Sequence, residues 1–113
     1  MKEIKAILQP HALDRVMDAL HQLPHFPGVT VSDCEGQGRG RGANRRFLPE
    51  EETIFFKKKC KLEIFCADSV CDAIVAVIQK AAHTGNPGDG LIMVADLPRV
   101  VRIRTAEEQD DAV

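Results

Sequence analysis

The stretch KCKLEIFC, residues 59–66, decides the fold of this chain. One set of alternate positions is apolar: Cys60, Leu62, Ile64 and Cys66. The other set is Lys61, Glu63 and Phe65. Strict alternation predicts a β-strand with one buried face. A shift of one residue would exchange the two faces, so the register of this strand is well specified.

A helix is predicted directly after this strand. Asp68-Ser69 can cap it, and Gly85 is placed to end it. Its buried stripe recurs at helical spacing: Val70, Ile74, Val77, Ile78 and Ala81. After the turn NPGDG, the apolar run Leu91–Ala95 predicts a central strand. The segment Arg99–Arg104 predicts a short final strand or an extended segment.

The residues before the long loop predict the same kinds of element. Residues 2–8 alternate and predict a strand that Pro10 ends, with Ile7 on the face opposite the main apolar set. From Ala12 onward, apolar residues recur at helical spacing: Leu13, Val16, Met17, Leu20 and Leu23. Pro24 and Pro27-Gly28 end this helix and turn the chain. A second strand is predicted from Val29 to about Glu35.

The resulting order is strand, helix, strand, long loop, strand, helix, strand. It predicts a single α+β domain, a ferredoxin-like βαββαβ sandwich, over all 113 residues. The two helices would cover one face of an antiparallel sheet. Ile7, Phe65 and Ile92 are expected on the other face, and an uncovered apolar face predicts a homo-oligomer.

The composition excludes several classes of protein. The net charge of -2 gives no overall attraction to nucleic acid or membranes, and no apolar run is long enough to span a bilayer. The start, MKEIKAILQP, lacks the apolar core of a signal peptide, so we expect a cytoplasmic protein. None of the cysteines forms a C-x-x-C pair, and we expect buried structural thiols: Cys34, Cys60, Cys66 and Cys71.

Residues 36–56, GQGRGRGANRRFLPEEETIFF, form the long loop. Glycine occupies every second position at its start, and no periodic apolar face runs through it. Its first half is basic, with Arg39, Arg41, Arg45 and Arg46, whereas Glu50, Glu51 and Glu52 follow Pro49. A connection of this length inside a small domain indicates function or disorder, and we predict a mobile, charged loop.

Three segments carry residues suited to phosphate. In the long loop, glycine N–H groups and arginine side chains can form an anion nest. The glycines of TGNPGDG, residues 84–90, let the backbone approach a ligand closely. Arg102 and Arg104 would share one face of an extended segment. Each segment also has an alternative without a ligand: a solvated flexible loop for the first, an ordinary helix-to-strand connection for the second and solvated surface charges for the two arginines. The loop arginines could instead bind nucleic acid, but they lack interleaved aromatic residues and adjoin glutamates.

Other chemistry has weaker support in the sequence. His21 and His25 are four residues apart, but Pro24 lies between them and no third metal ligand is evident. The chain offers no Ser/His/Asp or Cys/His arrangement. We therefore predict a protein that is not an enzyme and has no catalytic residue.

Taken together, these residues resemble the PII nitrogen-regulatory signal-transduction proteins, over essentially the whole chain. The most specific matches are MKEIKAILQPHALDRVMDAL, EGQGRGRG, TGNPGDG and VVRIRTAEEQDDAV. The resemblance implies a homotrimer of ferredoxin-like subunits with nucleotide sites in the clefts between them. It also implies a flexible T-loop at about 37–56, a B-loop at 84–90 and a C-terminal segment at 99–113. Family members bind ATP or ADP, many bind 2-oxoglutarate with magnesium and ATP, and the T-loop acts on a protein target.

Individual roles follow from the resemblance alone. Thr30 and the backbone near Phe65 would hold the adenine, and Glu63 and the backbone near Gly28 would meet the ribose. The residues implied around the phosphates are Gly38, Arg39, Gly88, Asp89, Gly90, Arg102 and Arg104. The last two would reach across from a neighbouring subunit. Lys59 matches the lysine that grips 2-oxoglutarate, a second effector.

Three positions depart from the family pattern. Glu52 replaces the T-loop tyrosine that is uridylylated in many members, and because the chain contains no Tyr, that control is excluded. Gly40 replaces the glutamine that helps ligate magnesium and 2-oxoglutarate, which argues against 2-oxoglutarate and leaves magnesium open. Leu91 replaces a phosphate-binding lysine. One such charge-assisted hydrogen bond is worth roughly 1.5–3 kcal/mol, so we expect nucleotide binding to persist but to favour fewer phosphates.

The sequence therefore predicts a regulator that binds adenine nucleotide (ADP, ATP or AMP) and controls a protein target, such as a membrane transporter or a metabolic enzyme, through its T-loop. No nucleic-acid partner and no insertion into a membrane are expected. The alternatives are a small nucleic-acid-binding module that uses the Gly/Arg loop and a metal-responsive PII-like protein.

Overall fold

The structure, a computed structural model, describes residues 1–37 and 56–113. Within these ranges the strands lie in the order β2-β3-β1-β4, and each neighbouring pair is antiparallel. This confirms the predicted ferredoxin-like α+β fold. The elements are β1 (Lys2–Leu8), α1 (Leu13–His21), β2 (Thr30–Gly36), β3 (Lys57–Cys66), α2 (Asp68–Ala82) and β4 (Gly90–Asp96).

The core lies between one face of the sheet and the two helices. The predicted alternation in β1 and β3 is confirmed, because every second side chain is buried from Ile4 to Leu8 and from Cys60 to Cys66. From the helices, Val16 and Leu20 of α1 and Ile74 and Ile78 of α2 complete the core. The buried strand residues are Ile4, Ala6, Leu8, Cys60, Leu62, Ile64 and Cys66.

The opposite face of the sheet carries exposed apolar side chains. Residues directly opposite each other in an antiparallel pair share a face. Ile7 lies opposite Leu91, which is therefore on this open face together with Met93 and Phe65. All three of these are exposed. We call the four residues Ile7, Phe65, Leu91 and Met93 the open-face patch.

The prediction that Ile92 belongs to the open face is wrong. Ile92 lies opposite Ala6, and it packs against the buried core on the helix side. The sequence run Leu91–Ala95 is apolar at every position, so its periodicity could not assign a face. The pairing with β1 decides the assignment.

The prediction of a central strand for Leu91–Ala95 is also wrong. β4 lies at the edge of the sheet, beside β1 alone among the described strands. Three of its large apolar residues are exposed in the protomer: Leu91, Met93 and Val94. An apolar run thus arises here on an edge strand, and an exposed apolar edge is a typical interface between chains.

The ends of α2 differ from those predicted. Ala67 is the N-cap residue, and Asp68 is already the first helical residue. The Asp68 carboxylate lies 2.8 Å from the amino group of Met1 instead of bonding to the helix amides. The helix ends at Ala82 because His83 is extended, so Gly85 lies within the following turn and does not end the helix.

The C-terminal segment is a turn and not a strand. Val101 forms a single antiparallel bridge with Glu108, and the amide of Ala106 donates to the carbonyl of Arg102 at 2.8 Å. A short 3-10 helix, Gln109–Ala112, follows and buries Ala112. The segment therefore folds back on itself beside the sheet.

The described structure bears on two further predictions. Cys60, Cys66 and Cys71 are buried and unbridged, as expected for structural thiols, while Cys34 is half-buried. Burial, reinforced by Cys71, raises the pKa of the Cys66 thiol to about 11. Within residues 1–37 and 56–113, no helix has the length and apolar character needed to cross a membrane.

Candidate functional site

A groove of about 420 Å³ lies beside the N-terminal end of β2. Residues from β2, β3 and the C-terminal turn converge on it, together with the segment before β2. We call it the arginine groove. The predicted site residues that line it are Gly28, Thr30, Glu63, Phe65, Arg102 and Arg104.

Strand geometry places Thr30, Glu63 and Phe65. Thr30 is the first residue of β2 and lies directly opposite Glu63 on β3. Phe65 is two residues further along β3, so it projects on the same face as Glu63. Gly28 has φ 107°, a conformation that side chains rarely adopt, and it turns the chain into β2 beneath the groove.

The C-terminal turn positions the two arginines. The amide of Arg102 donates to the carbonyl of Glu107 at 2.8 Å, and the Gln109 amide donates to Val100 at 2.9 Å. The Nε of Arg102 also donates to the carbonyl of Ala112 at 2.8 Å. These contacts hold Arg102 in place, while Arg104 follows it on the rim of the groove.

The arginine groove combines three kinds of chemistry. Phe65 supplies an apolar surface, the Glu63 carboxylate can accept hydrogen bonds, and the two guanidinium groups can bind an anion. Such a set can hold a ligand that has a flat apolar part, hydroxyl groups and a negatively charged end.

The predicted turn at residues 84–90 is built around the Asp89 carboxylate. Its Oδ2 accepts from the amide of Thr84 at 2.7 Å and from the amide of Gly85 at 3.0 Å. Its Oδ1 accepts from the Thr84 hydroxyl. The hydrogen bonds from Thr84, first its side chain and then its backbone, lower the pKa of Asp89 to about 2. Asp89 therefore shapes the turn as an anion at neutral pH.

Two side chains anchor the other end of this turn. The Gly88 carbonyl accepts from Nε2 of Gln9 at 2.6 Å and from Nζ of Lys59 at 3.2 Å. Gln9 was missed by the sequence analysis, because only the pairing of Leu8 with Gly90 brings it to the turn. Lys59, implied to grip a second effector, contacts this turn.

The predicted site residues thus fall into two separate places in one protomer. Thr30 lies on the edge strand β2 and Gly90 on the opposite edge strand β4. Three strand spacings separate these edges, roughly 14 Å. The arginine groove therefore has Thr30, Glu63 and both arginines in the same protomer, whereas Gly88, Asp89, Gly90 and Lys59 form a second cluster, which we call the turn cluster.

Comparison with known proteins decides the family. The sequence model described as Nitrogen regulatory protein P-II matches residues 1–107. The chain is 42% identical over 113 residues to Nitrogen regulatory protein P-II of Azospirillum brasilense, with all of both chains covered. The same identity and full coverage hold for Nitrogen regulatory protein P-II 1 of Escherichia coli K12. The chain belongs to the P-II family.

Membership of the P-II family supports a role for this chain as a signalling regulator. It also agrees with the predicted ferredoxin-like fold. Several P-II positions named in the sequence analysis lie outside the described residues: Gly38, Arg39, Gly40, Arg41, Arg45, Arg46 and Glu52. Most of the predicted T-loop, including every arginine of the nucleic-acid alternative, is among these undescribed positions.

Leu91, the third departure from the P-II pattern, is described. It is 57% exposed at the start of β4, next to the turn cluster. His21, one half of the weak metal motif, packs edge-on against the Phe26 ring at 6.0 Å between ring centres. Among residues 1–37 and 56–113, no three His, Cys, Asp or Glu side chains are grouped closely enough to hold a metal ion.

Proposed function

We propose that this chain is a non-enzymatic regulator that assembles as a homotrimer and binds an adenine nucleotide, ADP, ATP or AMP, between adjacent protomers. The arginine groove of one protomer holds the base, the ribose and part of the phosphate chain. The turn cluster of the neighbouring protomer approaches the phosphates. The loop at 37–56 then reports the bound nucleotide to a protein target.

The observation that carries this proposal is the convergence on the arginine groove. Gly28, Thr30, Glu63, Phe65 and the two arginines come from separate parts of the sequence, yet they line one cavity. Each has a role that fits a nucleotide. Phe65 and the backbone suit a flat base, Glu63 suits ribose hydroxyls, and the guanidinium groups suit phosphate oxygens.

The separation of the two clusters supports a site shared between protomers. The glycines of the turn cluster lie at the β4 edge of the sheet, whereas Thr30 lies at the β2 edge. The two halves of the ligand site are therefore at opposite edges of each protomer. The open-face patch and the exposed apolar residues of β4 favour association. A closed ring of protomers would bring the turn cluster of one protomer to the arginine groove of the next.

The turn cluster favours ligands with few phosphates. Leu91 provides an apolar side chain where a cation would meet a terminal phosphate, and Asp89 is an anion whose oxygens already accept from the turn. The remaining cation of this cluster is Lys59, which donates to Gly88. We therefore expect ADP to bind at least as tightly as ATP, and we do not propose 2-oxoglutarate as an effector.

Control of the target follows from a shift between loop conformations. A ligand changes a conformational equilibrium only by contacting the alternative conformations differently. Gly36 ends β2 and Lys57 begins β3, so both ends of the loop are fixed by the same pair of strands. We propose that the target is a membrane transporter or a metabolic enzyme that binds the loop in one nucleotide state.

Calorimetric titration with ATP, ADP, AMP and cyclic AMP, each with and without magnesium, tests the proposal directly. We expect saturable binding of ADP with one nucleotide per protomer, and sedimentation of the protein as a trimer. Absence of heat from all four nucleotides at millimolar concentration would overturn the sensor role. A monomer that binds ADP would overturn the shared site while leaving nucleotide binding in place.

A further inference from the structure

The tip of the C-terminal turn carries an apolar side chain that nothing in its own protomer covers. Ile103 is 100% exposed, although it lies between two arginines in a turn whose backbone is well bonded. Full exposure of a large aliphatic residue is unfavourable by the free energy of hydrating its surface. The residue before Ile103 is held by two hydrogen bonds, since the Arg102 amide donates to Glu107 and the Arg102 side chain donates to Ala112.

A second groove, also of about 420 Å³, lies between α2 and β4. Its lining is largely aliphatic and begins at Asp89 and Gly90, at the end of the turn cluster. We call it the α2–β4 groove. Its apolar lining residues include Val75, Ile78, Ala82, Leu91 and Ile92.

We propose that Ile103 of one protomer packs into the α2–β4 groove of the neighbouring protomer. This inference rests on the proposed function, which brings Arg102 and Arg104 of one protomer to the turn cluster of the next. Ile103 lies between these arginines and lines the arginine groove with them, so the same approach brings it to the turn cluster. The turn cluster borders the α2–β4 groove, and an aliphatic side chain matches the groove's lining.

The occupant is a second copy of this chain for two reasons. Asp89, a polar group at the mouth of the groove, already accepts hydrogen bonds from Thr84 and Gly85, so it offers little to a polar small molecule. The groove also shares Ile7 and Leu91 with the open-face patch, so it continues a surface that association would bury.

Cross-linking tests the contact itself. The variant Ile103→Cys/Ala82→Cys pairs the turn tip with the groove, and diamide serves as the oxidant. We expect covalent dimers and trimers on a non-reducing gel. The control Ile103→Cys/Asp72→Cys places the second thiol near the start of α2, away from the groove. We expect it to form no more cross-links than the wild type, whose native cysteines give the background.

Measurements of self-association test how much the Ile103 contact stabilises the assembly. Sedimentation velocity over a dilution series, without nucleotide, compares Ile103→Asp with the control Thr105→Asp, an exposed position in the same turn. We expect Ile103→Asp to weaken assembly about tenfold to a hundredfold or more. Thr105→Asp and the conservative Ile103→Leu should assemble like the wild type. Far-UV circular dichroism confirms that the fully exposed substitution leaves the protomer folded.

The outcomes separate this inference from the proposed function. If the wild type is trimeric and binds ADP, yet Ile103→Cys/Ala82→Cys gives no cross-link and Ile103→Asp assembles normally, the contact is wrong and the proposed function stands. If the wild type is monomeric at all concentrations, both fail. If cross-linking occurs without nucleotide binding by the wild type, the contact stands and the sensor role fails.

Discussion

The backbone of Gly90 passes so close to Ile7 that a β-carbon on Gly90 would lie 1.8 Å from the Ile7 carbonyl oxygen. Gly90 also has φ 107°, a conformation that favours glycine. It is the first residue of β4 and lies opposite Leu8 of β1. The start of the edge strand, and with it the turn cluster, therefore depends on the absence of a side chain at this position.

We expect Gly90→Ala to destabilise the protein strongly. Backbone strain alone costs about 1–3 kcal/mol, and the contact with Ile7 forces β4 away from β1 in addition. The matched control is Gly85→Ala. Gly85 also has positive φ, at 88°, but its β-carbon would meet only the His83 ring at 3.8 Å. Urea unfolding measures both, and equal losses of stability for the two variants would contradict the steric account.

The Asp89 carboxylate predicts an acid-sensitive turn. Its pKa is lowered from 3.8 to about 2 in the folded protein, so the folded state binds this proton less readily than the unfolded state. The stabilisation is therefore complete above about pH 4 and is lost as the pH falls toward 2. Asp89→Asn removes the charge, so the difference in Tm between wild type and variant should shrink over this range.

Thermal unfolding followed by circular dichroism at pH 5, 4, 3 and 2 checks this expectation. Asp72→Asn, which removes an exposed carboxylate from α2, controls for the general effect of losing one charge. A difference between wild type and Asp89→Asn that stays constant down to pH 2 would show that the Thr84 and Gly85 contacts do not depend on the charge.

Leu62 at the centre of β3 should be among the most costly core residues to truncate. It is fully buried in the cluster between sheet and helices. Leu62→Ala leaves a cavity and is expected to lower the free energy of unfolding by about 2–5 kcal/mol. The exposed Lys58 of the same strand supplies the control, since Lys58→Ala should change it by less than about 0.5 kcal/mol. Urea unfolding at one fixed protein concentration allows the two to be compared.

Arg104 provides the sharpest test of the arginine groove. Arg102 also holds the C-terminal 3-10 helix through Ala112, so its removal mixes two effects. Replacing Arg104 by glutamine removes a charged donor, and we expect ADP affinity to fall about tenfold to a hundredfold. Arg99→Gln is the control, because Arg99 pairs with Glu108 and does not line the groove. Titration calorimetry at constant salt gives both affinities. Equal affinities for Arg104→Gln and wild type would remove Arg104 from the site.

Much of the fold could be predicted because burial acts along each element separately. Alternation identifies the buried face of β1 and β3, and apolar residues at helical spacing identify the buried face of α1 and α2. Gly28, Thr30 and Glu63 were named from a resemblance, and the chain does bring them to one groove with both arginines.

The errors fall where local pattern carries no information about the partner. Asp68 is a residue type that often caps helices, but its carboxylate pairs with the amino group of Met1. Leu91–Ala95 is apolar throughout, and no periodicity indicates that the strand lies at an edge with Ile92 facing the helices. The sequence assigned no role to Gln9 or Ile103, because the contact of Gln9 with Gly88 and the exposure of Ile103 appear only in the folded chain.

The sequence by itself determined the family, the order of the main elements and the buried faces of β1, β3, α1 and α2, because each depends on residues that are near neighbours along the chain. Only the tertiary structure decided that Gly28, Thr30 and Arg104 share one groove while Gly88 and Asp89 lie at the opposite edge of the sheet. The physical reason is that strand pairing joins positions more than 80 residues apart, such as Leu8 and Gly90, through backbone hydrogen bonds that side-chain pattern does not encode.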